Sequence, residues 1–404
     1  MGIDTHEKMH YAEIQDEKGN VLWHGRFENS KQGLESILQK MRKIEESNSG
    51  QIGGVFMNPT GNYHIPAKYF LEKNGYSGLV YMIDARRTVH LRKVMNLNTE
   101  KSDPEDAHVL ASTPWYDRKY MENPGHERNP LSEITRERDM IRKNITRITN
   151  RIHGDLAAAF PEFSNLLDVD SSTGMAVLEE YSTPDVIAKT DPDKVLKIMR
   201  KAGRNHYSGE DASKIIDAAK NSIGIPDTDG VYRYRISTNA RRLKNEISEL
   251  KRIEKEIESR SSGSEDIKHL TDMKGMGPVN SATIVSEIGN IDQFDSALKL
   301  ESYGGKCPDM TGSGGKSYPK GITKVRNSYL SNAAYESAVS LVAHRNNEFY
   351  NLFNRELEKK KSKTEAYVVV AKRLLFHVQS IMKNRKPYKE RKPGKTGRGQ
   401  VPVE

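Results

Sequence analysis

Two stretches of nearly thirty residues, 131–159 and 233–260, constrain the fold more than anything else in the sequence. In the first, Ile134, Ile141, Ile145, Ile148, Ile152 and Leu156 recur at intervals of three, four or seven. That is the spacing of one face of an α-helix. In the second, Ile236, Ala240, Leu243, Ile247, Leu250 and Ile257 step by four and three, a heptad seam about three repeats long. A narrow apolar stripe on a long helix needs another helix to cover it. The seam therefore serves either self-association, as a coiled coil, or an intramolecular helical hairpin. Between the two, residues 164–230 are polar and broken by Pro184, Pro192 and Pro226, and read as short helices and loops. Ser261-Ser262-Gly263-Ser264 ends the second helix as a hinge.

What flanks this helical middle has a different grain. Residues 8–28 read as two strands around a Lys18-Gly19-Asn20 turn, and 33–46 has helical spacing. QIGGVFM (51–57) and SGLVYMI (77–83) are short apolar runs of the kind found in buried strands. Residues 1–125 are thus an α/β domain, with an element order compatible with an RNase H-like sheet. Residues 126–265 carry the basic helix, a linker and the coiled-coil region. A mainly helical C-terminal domain spans 266–382, and 383–404 is a basic, Pro- and Gly-rich tail expected to be disordered.

The sequence holds 64 basic against 55 acidic side chains, a net charge of +9. This balance favours polyanionic partners, because Lys and Arg displace counterions from phosphates. Arg136, Arg142, Lys143, Arg147 and Arg151 fill much of the first long helix outside its apolar stripe. They form either a solvated face or a surface that faces phosphates. A single cysteine, Cys307, excludes an internal disulfide and a thiolate zinc site, and fits a reducing cytoplasm. No apolar run approaches the ~20 residues that span a bilayer. The start, MGIDTHEK, lacks a signal-peptide core, and His6 breaks the myristoylation pattern.

Three aspartates form the candidate centre. Asp4 stands in Gly2-Ile3-Asp4, at the start of the first strand. Asp103 and Asp106 lie in KSDPEDAHVLA (101–111), where Pro104 suits a first helical turn and Asp103 is a good N-cap. Spacing of three puts both on one helix face. A strand aspartate meeting two at a helix start makes a cluster able to hold Mg²⁺, whose paired ions serve phosphodiester chemistry. Capping is the simpler role for Asp103, and a plain loop carboxylate the simpler one for Asp4.

In the C-terminal domain, LTDMKGMGPVNSATIVSEIG (270–289) reads as helix, glycine hairpin, helix, with Gly275 and Gly277 in the turn. Such a helix-hairpin-helix-like turn can hold a phosphate, or can simply join two helices. Gly312-Ser313-Gly314-Gly315-Lys316 is a glycine-rich loop that permits close backbone approach to phosphate, with Lys316 to neutralise it. Met310 breaks the P-loop spacing. Ser313 is either a nucleophile or an inert loop serine.

In their order along the chain, these segments resemble the DEDD transposases of insertion-sequence family one-ten and the related Piv-type DNA invertases. Gly2-Ile3-Asp4 resembles the first-strand motif, NPTGNY (58–63) the family's Glu-Pro-Thr-Gly-x-Tyr, and KSDPEDAHVLA its Lys-Thr-Asp-x-x-Asp-Ala. NRIHGDL (150–156), GMGPVNSATIVSEIG, YGGKCP (303–308), GSGGK (312–316) and GITKVRNSYL (321–330) continue the likeness over about 1–160 and 266–345. The resemblance implies a RuvC-like, RNase H-fold domain with four acidic ligands for Mg²⁺, a coiled-coil insertion, and a C-terminal domain with a catalytic serine. Asp4, Asp103 and Asp106 match three acidic positions. Ser313 matches the serine expected to link transiently to a DNA phosphate. The partners implied are double-stranded DNA, a structured guide RNA, and further copies of the chain in a dimer or tetramer, with one subunit's acidic domain acting beside another's serine domain.

Two departures stand out. The family's glutamate falls at Asn58, which offers a carbonyl oxygen but no charge. Glu100 or Glu105 is the candidate carboxylate to compensate. Arg326 stands where a glycine is usual, and Ser331 where an arginine is usual, which would weaken a phosphate contact. The expected function is Mg²⁺-dependent DNA strand exchange through a serine. The alternatives are a catalytically impaired nucleic-acid-binding descendant, or a RuvC-like junction nuclease in which Ser313 is structural.

Overall fold

The computed structural model describes all residues except 49, 60, 84, 96–101, 117–128, 314–315, 323–325, 346, 360 and 389–404. For 85–87, 308–313 and 316–322 it describes the backbone alone. Of the basic tail expected to be disordered, 383–404, residues 389–404 lie outside the described ones, and Lys383 and Asn384 belong to the last helix. The chain divides into two compact units, Met1–Glu127 and Arg128–Glu404.

The first unit is built on a five-stranded sheet in the order β3-β2-β1-β4-β5. The strands are β1 (Gly2–Asp4), β2 (Met9–Gln15), β3 (Val21–Glu28), β4 (Val55–Met57) and β5 (Val80–Met82). β1, β2 and β3 form an antiparallel meander, while β1, β4 and β5 run parallel. This mixed sheet is compatible with an RNase H-like domain. The parallel strands are shorter than the apolar runs that mark them: only 55–57 and 80–82 pair. Asp4 ends β1 rather than beginning it.

Alternation along the strands sorts side chains onto two faces. Ile3, Val55, Met57 and Val80 join the larger core, with Leu34, Ile37, Leu38 and Met41 of α1 (Lys31–Asn48) and Ala67 and Leu71 of α2 (His64–Leu71). The other face carries Gly2, Asp4, Phe56 and Tyr81. There Phe56 stacks on Tyr81, with ring centroids 5.2 Å apart, and packs with Ile83 and Leu110 of α4 (Asp103–Tyr116). A short helix, α3 (Ala85–Val94), precedes α4.

The second unit is helical apart from one hairpin. α5 (Pro130–Ala159) is capped by the Asn129 side chain and pairs with α10 (Val231–Ser261). The heptad seam is thus covered within the chain. Between them lie α6 (Ser172–Glu180), α7 (Pro184–Ile187), α8 (Pro192–Ala202) and α9 (Gly209–Lys220); α7 and α8 start at two of the prolines that break this region, and Ser171 and Ser208 cap the other two. They share one core with Ile148, Ile152 and Leu156 of α5 and Ile236 and Leu243 of α10. A second core joins the end of α10 to α11 (Glu265–Thr271), α12 (Pro278–Ile288), α13 (Ala297–Tyr303), α14 (Ser328–Ala343), α15 (Glu348–Glu358) and α16 (Lys363–Asn384). The antiparallel strands β6 (Pro308–Ser313) and β7 (Lys316–Ile322) stand between α13 and α14 in sequence.

Candidate metal centre

The acidic positions are set by the sheet register. Ile3 pairs with Met57 across parallel strands, so the next residues, Asp4 and Asn58, lie level and on the same face. Asp4 also pairs with Tyr11, and Tyr11 with Arg26. Asn58, Asp4, Tyr11 and Arg26 therefore form a row across the sheet, on the face that α4 covers.

Helix α4 reaches this row because Gly2 has no side chain. A Cβ on Gly2 would lie 2.2 Å from the Ala107 carbonyl oxygen and 2.3 Å from the Ala111 nitrogen. Such close backbone contact brings the first turn of α4 over the end of β1. Glu13, on the same face, fixes the helix further by a 2.7 Å contact with His108. The helix cap differs from the sequence expectation. Ser102 accepts the Glu105 N–H at 3.4 Å, so Asp103 is the first helical residue and not the cap. Its carboxylate is left to face the sheet.

There Asp103 meets a residue that the sequence reading did not single out. His6 Nε2 lies 3.0 Å from Asp4 Oδ2 and 3.3 Å from Asp103 Oδ1, and Arg26 lies 3.7 Å from Asp103 Oδ2. Ligand atoms of Asp4, His6 and Asp103 all fall within 4.8 Å of one another. Asp106 is turned to Arg92 of α3, which also pairs with Glu105 at 3.3 Å. Glu105 is thus engaged with Arg92, and Glu100 lies outside the described residues. Burial pushes the Asp4 carboxyl above its ordinary pKa. The charge and hydrogen bond of His6 oppose that shift, and the charges of Asp106 and Asp103 add to it. Asp103 and Asp106 thus both act electrostatically on Asp4.

Asn58 completes the arrangement. It is 8 % exposed, and its Oδ1 is buried without a hydrogen-bond partner among the described residues. An unpaired buried carbonyl costs roughly 1–3 kcal/mol, which a hard cation would relieve. Two carboxylates and an imidazole converge here, with Asn58 level with Asp4 in the sheet, and this donor set fits a divalent metal ion.

The basic positions in the second unit have varied surroundings. Arg136 makes a bidentate pair with Glu287, at 2.6 and 2.7 Å, and Glu287 is fully buried. Arg142 pairs with Glu336, and Lys143 with Asp139. Arg147 and Arg151 are exposed. Gly275, at φ +102°, lies against α14, where a Cβ would meet the Leu341 Cα at 3.0 Å; Gly277 faces open space before α12. Ser313 and Lys316 are cross-strand partners, at the end of β6 and the start of β7. Their side chains, and residues 314–315, lie outside what is described. Ser331 is buried and accepts a hydrogen bond from Lys306 at 3.1 Å, so position 331 faces inward. Arg326 packs on Gly305.

Comparisons with known proteins agree with this architecture. A DEDD transposase model of the IS110 type matches residues 1–161, and the transposase model of the IS116/IS110/IS902 family matches residues 267–354. An uncharacterized 44.8 kDa protein of insertion element IS116 from Streptomyces clavuligerus is 24 % identical over 78 % of this chain and 77 % of its own length. An uncharacterized 43.6 kDa protein of insertion element IS110 from Streptomyces coelicolor is 23 % identical over 97 % of this chain and 96 % of its own. The IS117 mini-circle protein of the same species, provisionally named a transposase, is 21 % identical over 83 % of this chain and 82 % of its own. The class is that of insertion-sequence transposases. Within it, this chain belongs to the IS110 family. No described helix is long and apolar enough to cross a membrane.

Proposed function

We propose that this chain is an active transposase that exchanges DNA strands at a divalent-metal centre formed by Asp4 and Asp103, with Asp106 and Asn58 beside them and Ser313 as nucleophile. The supporting observation is the convergence of Asp4, His6 and Asp103 beside an unpaired Asn58 oxygen. A divalent ion held there, Mg²⁺ in the simplest case, would supply electrophilic stabilisation of phosphate oxygens. Asp4 and Asp103 would bind it, and Arg26 and Arg92 would limit carboxylate repulsion. The Ser313 hydroxyl would attack a phosphodiester to give a phosphoserine link and release a 3′ or 5′ hydroxyl, and strand transfer would regenerate the serine. A structured RNA, as the family resemblance implies, would choose the sites. Action in the cytoplasm, on double-stranded DNA, as a dimer or tetramer, completes the reading.

The test is capture of labelled donor DNA with its cognate RNA and Mg²⁺. Ser313→Ala should abolish the covalent adduct, and Asp4→Asn should lower its rate at least about a hundredfold. Cleavage that survives Ser313→Ala would instead identify a junction nuclease. A second reading, a nucleic-acid-binding descendant without turnover, is favoured by Arg92 holding Asp106 and by the neutral Asn58. It predicts tight DNA binding with no adduct under any metal.

A further inference from the structure

We propose that His6 is a metal ligand, and that it makes this centre select Mn²⁺ over Mg²⁺. The inference rests on the metal-centre reading above and adds to it the identity of the ion.

The geometry comes first. An octahedral ion with ligands at about 2.1 Å has cis edges of about 3 Å. His6 Nε2 stands 3.0 Å from one Asp4 oxygen and 3.3 Å from one Asp103 oxygen. The imidazole nitrogen thus stands at cis-edge distance from one oxygen of each carboxylate, and the three atoms lie within 4.8 Å of one another.

The turn that carries His6 is also built to hold it. The His6 N–H donates to Nδ1 of the buried His10 at 3.1 Å. The Thr5 hydroxyl reaches the Asn58 carbonyl at 3.5 Å. Asn29, at the end of β3, donates its side-chain amide to Glu7 O at 3.1 Å and its N–H to Lys8 O at 2.8 Å. Three separate strands thereby fix a turn whose outward product is one half-exposed imidazole. A solvated surface histidine needs no such anchoring.

The donor set then decides the ion. Mg²⁺ favours oxygen ligands and several charges. Here Asn58 brings no charge, and Asp106 is shared with Arg92, so the oxygen donors alone make a weak Mg²⁺ site. An imidazole nitrogen contributes little to Mg²⁺ but strengthens binding of first-row transition ions, of which Mn²⁺ best tolerates the accompanying carboxylates and amide oxygen.

The experiment titrates Mn²⁺ and Mg²⁺ into the full-length chain, reading free Mn²⁺ by electron paramagnetic resonance and Mg²⁺ by competition. Mn²⁺ should bind about tenfold or more tighter, and His6→Ala should cost about tenfold in Mn²⁺ affinity with less than about a twofold change for Mg²⁺. Pulsed resonance on the Mn²⁺-loaded wild type should show modulation from a coordinated imidazole nitrogen, absent in His6→Ala. Equal Mn²⁺ loss without nitrogen modulation, or Mn²⁺ affinity unchanged by His6→Ala, overturns the role of His6. Asp4→Asn separates this from the parent reading: if neither ion's binding depends on Asp4, the metal centre itself is wrong.

Discussion

Gly2 shows how a single residue can set a site it does not belong to. Its missing Cβ lets backbone atoms of α4 approach to where a methyl group would lie only 2.2 Å from the Ala107 oxygen. Gly2→Ala must therefore push the helix outward by about 1 Å, toward ordinary van der Waals separation. The expected cost is about 1–3 kcal/mol of stability, as for other overpacked sites. Metal affinity should fall as well, because Asp103 and Asp106 move with the helix. Urea unfolding and Mn²⁺ titration on the same variant check both; a lowered stability with unchanged affinity would mean that the site does not depend on this contact. Asp4, Asp103 and Asp106 stand out in the sequence as candidates because a short motif and a helix-start pattern carry them; the packing role of Gly2 has no such signal. His6, Arg26 and Arg92 do not stand out. Each is a polar residue with no periodic signature, and its partner comes from a distant strand or helix that only register and helix docking can name.

At the scale of elements, the long helices were readable almost to their ends, since a stripe repeated over about six turns outweighs any single residue. What the stripe could not reveal is which polar residues are committed to partners. Arg138 reaches Glu254 at 2.8 Å and Asp155 reaches Arg235 at 2.6 Å, so charged pairs join α5 to α10 across their apolar seam. The basic positions on α5 separate accordingly. Arg136→Ala leaves the fully buried Glu287 without its bidentate partner and should destabilise the protein by about 3–5 kcal/mol. Arg147→Gln with Arg151→Gln should leave the melting temperature unchanged while weakening DNA binding. If both residues meet phosphates, the slope of log affinity against log salt should fall by about 0.9 for each. An unchanged slope would assign both to the solvated face.

The contact between α15 and α16 has a pH signature. Burial works against ionisation of Glu348, yet hydrogen bonds from His377 and Tyr388, with the charges of His377 and Arg373, hold its pKa down to about 2. A depressed folded-state value means that this carboxylate contributes stability above the ordinary glutamate range near 4.5. That contribution, about 2–3 kcal/mol by the size of the shift, is lost as pH falls from there through about 2. Glu348→Gln should lower the melting temperature at pH 7 and shrink the difference between pH 7 and pH 3. Equal losses at both pH values would show that packing, rather than charge, carries the effect.

For the molecule as a whole, the division into two units poses the functional question most sharply. The aspartates belong to Met1–Glu127 and Ser313 to Arg128–Glu404. Chemistry that needs both sets can draw them from one copy or from two. Mixing inactive Asp4→Asn protein with inactive Ser313→Ala protein distinguishes these cases. If each centre takes its carboxylates from one subunit and its serine from another, a mixed dimer holds one centre with both sets intact and one with neither. Equal mixing makes about half the dimers mixed, so about a quarter of all centres should work. If each centre is drawn from a single copy, every centre in the mixture lacks one set, and no adduct forms at any ratio. Recovered activity should also peak at equal proportions and fall toward either pure variant, a dependence that trace wild-type contamination would not reproduce.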